Sequence, residues 1–259
     1  MPRFAANLSM LFTEVPFLER FAAAREAGFK GVEFQFPYEF LKEDIAKARE
    51  DAGVDIVLFN TPAGDWSRGD RGIGALPGRE AEFERGFRTA MDYAAALDCP
   101  RLHVMAGIAP VTLDERVHHS ALEGNLRRIA PHAERGGVTL MVEPINTRDM
   151  PGYVVNRTEQ AIRIMDNVQA NNLALQLDIY HRQIMQGDLM ATIERHIGVI
   201  GHIQIAGVPG RNEPDTGEVN YHALFDRLDR LGYDGWVGCE YLPRDDTWSG
   251  LDWMKSYLK

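Results

Sequence analysis

The feature that most narrows the fold is an alternation, in which a short apolar run is followed by a longer amphipathic one, eight times over. The strand-like runs are FAANL (4–8), GVEFQF (31–36), VDIVLFN (54–60), RLHVMAG (101–107), VTLMVEP (138–144), LALQLDI (173–179), GHIQIAG (201–207) and WVGCEYL (236–242). Between them, apolar residues recur every three or four positions, the period of a helix with one buried face. FLERFAAAREAGF ends at Gly28–Phe29, and glycine takes the left-handed turn after a helix at least cost. REAEFERGFRTAMDYAAAL (79–97) forms another helix. NYHALFDRLDRLGY has Asn220 as its N-cap and sets Leu224, Phe225, Leu228 and Leu231 on one face.

Strands separated by helices pair in parallel through right-handed crossovers. Eight such units in 259 residues close most naturally into an α/β barrel, a (β/α)₈ TIM barrel. No Pro/Gly/Ser-rich linker divides the chain, so one domain over 1–259 is expected. An open doubly wound sheet is the second choice.

Charge narrows the partners. The net charge is −10, from 28 basic and 38 acidic residues, with no basic stripe. That argues against nucleic acid and anionic membranes, which need clustered Lys and Arg, but leaves room for a small anion held by one or two arginines. Two cysteines, Cys99 and Cys239, are too few for a disulfide framework or a cysteine zinc site. No stretch reaches the roughly 18 apolar residues of a membrane span. The opening MPRFAANLSMLF lacks the parts of a signal peptide, so a cytoplasmic protein is expected. Whether it forms a homo-oligomer is open at this level.

Strand five ends VTLMVEP, an apolar run that stops on Glu143 with a proline behind it. The pattern recurs, with strand six ending at Asp178, strand seven at Gln204 and strand eight at Glu240, spaced 35, 26 and 36 residues apart. In a barrel of this kind the C-terminal strand ends form the mouth that carries chemistry. Side chains alternate along a strand, so Leu140, Val142, Ile203, Ile205, Val237 and Cys239 face the helices while the four polar residues face the axis. A lone Glu at a strand end is usually a solvated rim residue. Three carboxylates aimed at one point repel unless something positive lies between them. A divalent cation meets that need, and an all-oxygen shell suits Mg²⁺ or Mn²⁺ better than zinc. A salt-bridge network with arginine meets it too.

At these residues the chain resembles the hydroxypyruvate isomerase family of xylose-isomerase-like barrels. The likeness runs through RFAANLSMLF, GVEFQFPY, FNTPAGDWSRGDRGIGALPGRE, VEPINTRDMPGY, QLDIYHRQIMQGDL, HIQIAGVPGRNEPDTGEVNY and GWVGCEY. It implies interconversion of hydroxypyruvate and 2-hydroxy-3-oxopropanoate through a cis-enediolate. Glu143 and Glu240 match the family's paired proton-transfer carboxylates, and Glu143, Asp178, Gln204 and Glu240 match its metal shell. Related ketose epimerases commonly have His where this chain has Gln204. A 2-oxo-tetronate isomerase or a ketose 3-epimerase on the same barrel are the near alternatives.

A keto-acid substrate calls for cationic donors at the mouth. Arg211, in the loop after strand seven, is the first candidate, with Arg71 and Arg68 of the long loop 60–78 behind it. That loop's length suggests a lid, with Trp66 closing over the ligand. His181, three residues past Asp178, is placed to bond a substrate oxygen, while His202 and Gln176 sit one layer deeper as supporting groups. GIGALPG (72–78) has the wrong spacing for a dinucleotide loop. A multi-zinc nuclease would want more histidines and a basic groove, and a non-catalytic binding barrel would need no paired carboxylates.

Overall fold

The structure, a computed structural model, describes residues 1–110 and 113–257, so 111, 112, 258 and 259 of the expected domain lie outside the described residues. The eight strands are β1 (Arg3–Asn7), β2 (Gly31–Phe34), β3 (Asp55–Asn60), β4 (Arg101–His103), β5 (Thr139–Val142), β6 (Leu173–Asp178), β7 (Ile200–Ile205) and β8 (Trp236–Cys239). They pair in chain order, all parallel, and β8 returns to β1 through registers such as Ala5–Gly238. That closure excludes the open sheet.

The crossovers are α1 (Arg20–Glu26), α2 (Lys42–Ala52), α3 (Glu80–Leu97), α4 (Glu115–Arg135), α5 (Thr158–Val168), α6 (Ile179–Met185) with α7 (Leu189–His196), and α8 (Tyr221–Arg230). Gly28 follows α1 at φ 96, as its chemistry requires. Asn220 caps α8 by accepting a bond from Ala223 N at 3.1 Å. A short 3₁₀ turn, Phe17–Glu19, leads into α1. After β8 the chain winds into a 3₁₀ stretch, Ser249–Ser256, rather than an α-helix. None of the helices in the described residues is long and apolar enough to cross a membrane.

Strand alternation builds two packing layers. Leu140, Val142, Ile203, Ile205, Val237 and Cys239 point outward into one large core shared with the helices. Ala5, Val57, Leu58, Met141 and Trp236 point inward and form a separate apolar plug. Burying a large aliphatic or aromatic side chain contributes about 1.5–3 kcal/mol, so both layers stabilise closure. The plug fits because two strands carry glycine against it. A Cβ on Gly31 would lie 2.6 Å from the Trp236 ring, and one on Gly201 would lie 2.6 Å from Ala174 Cβ. The plug closes the N-terminal end of the barrel, so buried polar groups gather toward the other end.

The strands stop earlier than the apolar runs. β4 ends at His103 because the carbonyls of Met105 and Ala106 accept from Gly74 N (3.1 Å) and Ala75 N (2.8 Å) in the loop instead of a neighbouring strand. GIGALPG is thus an anchor for β4 and not a nucleotide loop. Glu143 and Glu240 are the first residues past β5 and β8.

Candidate active site

Each rim residue is set by its local backbone. Asp178 closes β6 and caps α6, one oxygen accepting from Tyr180 N (2.7 Å) and His181 N (3.2 Å). Its other oxygen lies 3.5 Å from His181 Nε2 and 3.9 Å from the Arg211 guanidinium. Glu143 lies 3.3 Å from His103 Nδ1 and 3.8 Å from His181 Nε2. Glu240 accepts from Gln35 Nε2 at 3.0 Å and stands 3.5 Å from Arg211. All three carboxylates are buried.

The tautomer of His181 follows from its partners. The Asn146 side-chain amide donates to Asp149 (3.1 Å) and to His181 Nδ1 (2.6 Å), while its oxygen accepts from Asp149 N (2.8 Å). Nδ1 is therefore an acceptor and the proton resides on Nε2, which faces Glu143 and Asp178. Burial, then the nearby Arg211 charge, holds this imidazole well below its usual pKa and hence neutral. Ligand atoms of Glu143, Asp178 and His181 all lie within 4.8 Å of one another, a buried group that could hold a metal ion.

Electrostatics point the same way. Burial, then the charges of Glu240 and Asp178, pushes the Glu143 carboxyl well above the ordinary carboxylate range. Burial raises Asp178 too, with Arg211 pulling against it. Glu240 is pushed up to about 7 by burial, against the pull of Arg211 and the Gln35 bond. Arg211 loses hydration, yet the three carboxylates around it still raise its pKa. Three buried acids against one guanidinium leave the cavity short of positive charge. A divalent cation is chemically suited to make up the deficit.

Arg211 reaches this place from an unusual backbone. Its φ is 57, a left-handed conformation uncommon for a side-chain-bearing residue. Arg211 N donates to Gly207 O at 2.7 Å and Leu242 N donates to Arg211 O at 2.8 Å, which fixes the bend and turns the side chain inward. Its Nε is buried without a partner among the described residues. Such strain is retained where the surroundings over-determine it, commonly at functional sites.

Two small voids of 20 and 40 Å³ share Glu143, Glu240, His103, Gln35 and Asn60 as walls. Arg211, Trp66 and Phe36 line the outer one. A cavity of 560 Å³ lies at the opposite end of the barrel beside Arg3, Lys30 and Trp236, away from these carboxylates and without a buried ionisable cluster. Chemistry, and not volume, identifies the site.

Glu143, Glu240, His181 and Arg211 thus wall one void, with Asp178 beside His181 and Arg211. Gln204 lines the inner void with Glu143 and Glu240, and its amide also bonds Glu33 and Gln176 beneath them. Arg71 stands outside, stacked 3.8 Å over the Trp66 ring and donating to Trp66 O (3.2 Å) and Asp70 O (2.7 Å). It shapes the loop that bears Trp66. Glu33, Gln35 and His103 escaped the strand-end reading, although each shows the inward parity (V-E-F-Q-F, L-H-V) that marked the others. Asn146 and Asp149 carry no such signal.

Comparisons with known proteins agree with the fold. The chain is 52% identical over 259 residues to a protein of Cupriavidus necator named 2-oxo-tetronate isomerase, covering 100% of this chain and 99% of that one. It is 44% identical to the Escherichia coli protein named hydroxypyruvate isomerase, covering 99% of this chain and 100% of that one. A solved structure from Brucella melitensis, described as an AP endonuclease of family 2, superposes with a TM-score of 0.97 at 51% identity, covering 99% of both chains. The model of the xylose isomerase-like TIM barrel matches residues 21–257, and the chain belongs to that family.

Proposed function

We propose that this chain is, as one barrel domain, a metal-assisted isomerase of a short 2-keto acid with a hydroxyl on the next carbon, hydroxypyruvate in the first place. The observation that carries the reading is Arg211, a largely covered guanidinium set between Asp178 and Glu240, whose buried Nε has no partner among the described residues. A substrate carboxylate supplies the acceptor that Nε lacks, and arginine suits carboxylates because its planar fork bonds them twice.

Hydroxypyruvate becomes 2-hydroxy-3-oxopropanoate when C3 loses a proton and C2 gains one, while the hydroxyl proton passes from the C3 oxygen to the C2 oxygen. Glu143 and Glu240 come from β5 and β8 and wall the same cavity, so one carboxylate takes the first proton and the other carboxyl returns one. The C3-deprotonated species is a cis-enediolate, and the His181 Nε2–H is placed to donate to one of its oxygens. A bound Mg²⁺ or Mn²⁺, held by Glu143, Asp178, Glu240 and the Gln204 amide oxygen, would supply Lewis-acid stabilisation of the enediolate charge. His181 belongs to the geometric metal group, but a nitrogen that carries its proton acts as a donor and not as a ligand. Trp66 and Phe36 exclude water from the reacting atoms.

The 52% identity to a 2-oxo-tetronate isomerase favours a second substrate on the same chemistry, since 2-oxo-tetronate differs by one CH₂OH in place of a C3 hydrogen. A neutral ketose would leave Arg211 without its partner. A nuclease role is disfavoured by the net charge of −10 and a closed, carboxylate-lined site. The test is to incubate purified protein with hydroxypyruvate, 2-oxo-tetronate and free ketoses, with and without chelator. Tartronate semialdehyde is trapped by its reductase while NADH is followed. Chelator-sensitive turnover of a keto acid is expected; turnover of ketoses alone, or none of any substrate, would sink the reading.

A further inference from the structure

Below the rim lies a fourth acidic residue that the proton-transfer scheme does not use. Glu33, in β2, is 1% exposed. Its Oε1 accepts from Asn7 Nδ2 at 3.0 Å and from Gln204 Nε2 at 2.8 Å, and its Oε2 is 2.6 Å from His202 Nε2. Asn7's own oxygen accepts from Ser9 N at 3.0 Å, which fixes its amide as a donor to Glu33. Asn7 and Gln204 thus both offer an N–H to Glu33 Oε1, which accepts from each. Room for this carboxylate comes from β8: a Cβ on Gly238 would run into it.

The arrangement has a direction. Gln176 Nε2 donates to Gln204 Oε1 at 2.6 Å, and Gln204 Nε2 donates to Glu33. The Gln204 oxygen is thereby turned away from Glu33 and accepts from Gln176, and the residue lines the void that it shares with Glu143 and Glu240. A carboxylate ligand has two equivalent ends, but an amide has one that ligates and one that repels a cation. A glutamine in the metal shell therefore needs a partner that holds its NH₂ end.

We propose that Glu33 is a positioning residue for the metal: by accepting the Gln204 NH₂ it holds the amide oxygen toward the cation, and Gly238 keeps the space in which it does so. This rests on the reading above that Gln204 is a metal donor.

The experiment measures Mn²⁺ affinity of chelator-stripped protein by electron paramagnetic resonance of free Mn²⁺, beside melting curves that confirm folding. Removing an outer partner of a metal ligand typically weakens binding roughly 10–100-fold, and Glu33→Ala is expected to do so. Glu33→Gln retains one acceptor oxygen for Gln204 and should stay within about threefold of wild type on the same scale. A charge acting through space instead predicts that the Gln and Ala variants weaken equally, which would overturn positioning. Glu33→Ala in a Gln204→Ala background should add no further loss, because Glu33 acts through Gln204; an added loss overturns the proposal. Gly238→Ala removes no polar group but displaces the Glu33 carboxylate, so it serves if Glu33→Ala fails to fold, and unchanged affinity there overturns the role of Gly238. Failures remain distinguishable. Wild-type protein that binds no Mn²⁺ rejects the metal site itself, whereas normal binding by Gln204→Ala rejects Gln204 as a donor and the proposal with it.

Discussion

Replacing Arg211 with Met keeps most of the apolar stem and removes the one guanidinium that, among the described residues, lies within reach of the three carboxylates. In the structure this group lies 3.5 Å from Glu240 and 3.9 Å from Asp178. At an effective dielectric near 20, each such pair is worth about 4–5 kcal/mol before desolvation is subtracted. A bound substrate carboxylate enters the same field, and truncating one partner of a buried charge pair costs about 2–5 kcal/mol. At about 1.36 kcal/mol per decade, kcat/KM for hydroxypyruvate should fall roughly 30- to 5,000-fold in Arg211→Met. Arg211→Lys retains the charge without the fork and should fall between. A second reading has the opposite sign. Arg211 competes with a cation for the same acids, so Arg211→Met should bind Mn²⁺ more tightly than wild type. Initial rates in the reductase-coupled assay and a Mn²⁺ titration decide the matter. Turnover within threefold of wild type, or weaker Mn²⁺ binding with normal keto-acid kinetics, would refute the assigned role.

Glu240→Gln should abolish turnover with the fold intact, read from rates and melting curves. For the metal-free protein the Glu240 carboxyl is raised from an ordinary 4.5 to about 7. The folded state then binds the extra proton, and stability falls as pH rises from about 4.5 to 7. Metal-free Glu240→Gln should therefore melt higher than metal-free wild type above pH 7, a difference that vanishes under acid. Chelation should abolish activity, Mg²⁺ or Mn²⁺ should restore it, and metal at 100 times its Kd should stabilise by about 2.7 kcal/mol in a thermal shift. Asn146→Ala frees the His181 tautomer; losing a buried hydrogen bond costs about 1–3 kcal/mol, so kcat should drop roughly 5- to 150-fold without change in Mn²⁺ affinity.

The barrel and much of its rim were legible because the signals are local. Strand parity is set by neighbours in the chain, and it placed Glu143, Asp178 and Glu240 correctly toward one axis. The same rule read on β2 would have found Glu33 and Gln35. What it could not give was depth. A register shift between Val32 and Glu33 in the β2–β3 pairing leaves Val57 and Leu58 both in the inner plug, which strict alternation forbids. Gln204, one residue before the end of β7, sits a layer below Glu143 and Glu240, which lie just past theirs. Loop residues were harder. Arg71 is drawn to Trp66, and Asn146 meets His181 across 35 positions, through backbone bends that no period encodes.

The same geometry says why the fourth strand end is an amide rather than another acid. Gln204 Nε2 lies 2.8 Å from Glu33 Oε1, so Gln204→Glu would set two carboxylates in contact. Unscreened at an effective dielectric near 20, that contact costs about 6 kcal/mol. Uptake of one proton caps the loss, since neutralising an ordinary glutamate at pH 7 costs about 4 kcal/mol. For a chain of this size about 1 kcal/mol shifts Tm by roughly 2–4 °C, so metal-free Gln204→Glu should melt some 8–15 °C below wild type at pH 7. The penalty belongs to the ionised pair, so it should shrink as pH falls toward 5. A melting point within about 2 °C of wild type at pH 7 would mean that the Glu33 carboxylate does not hold the Gln204 amide, and the choice of glutamine would need another cause.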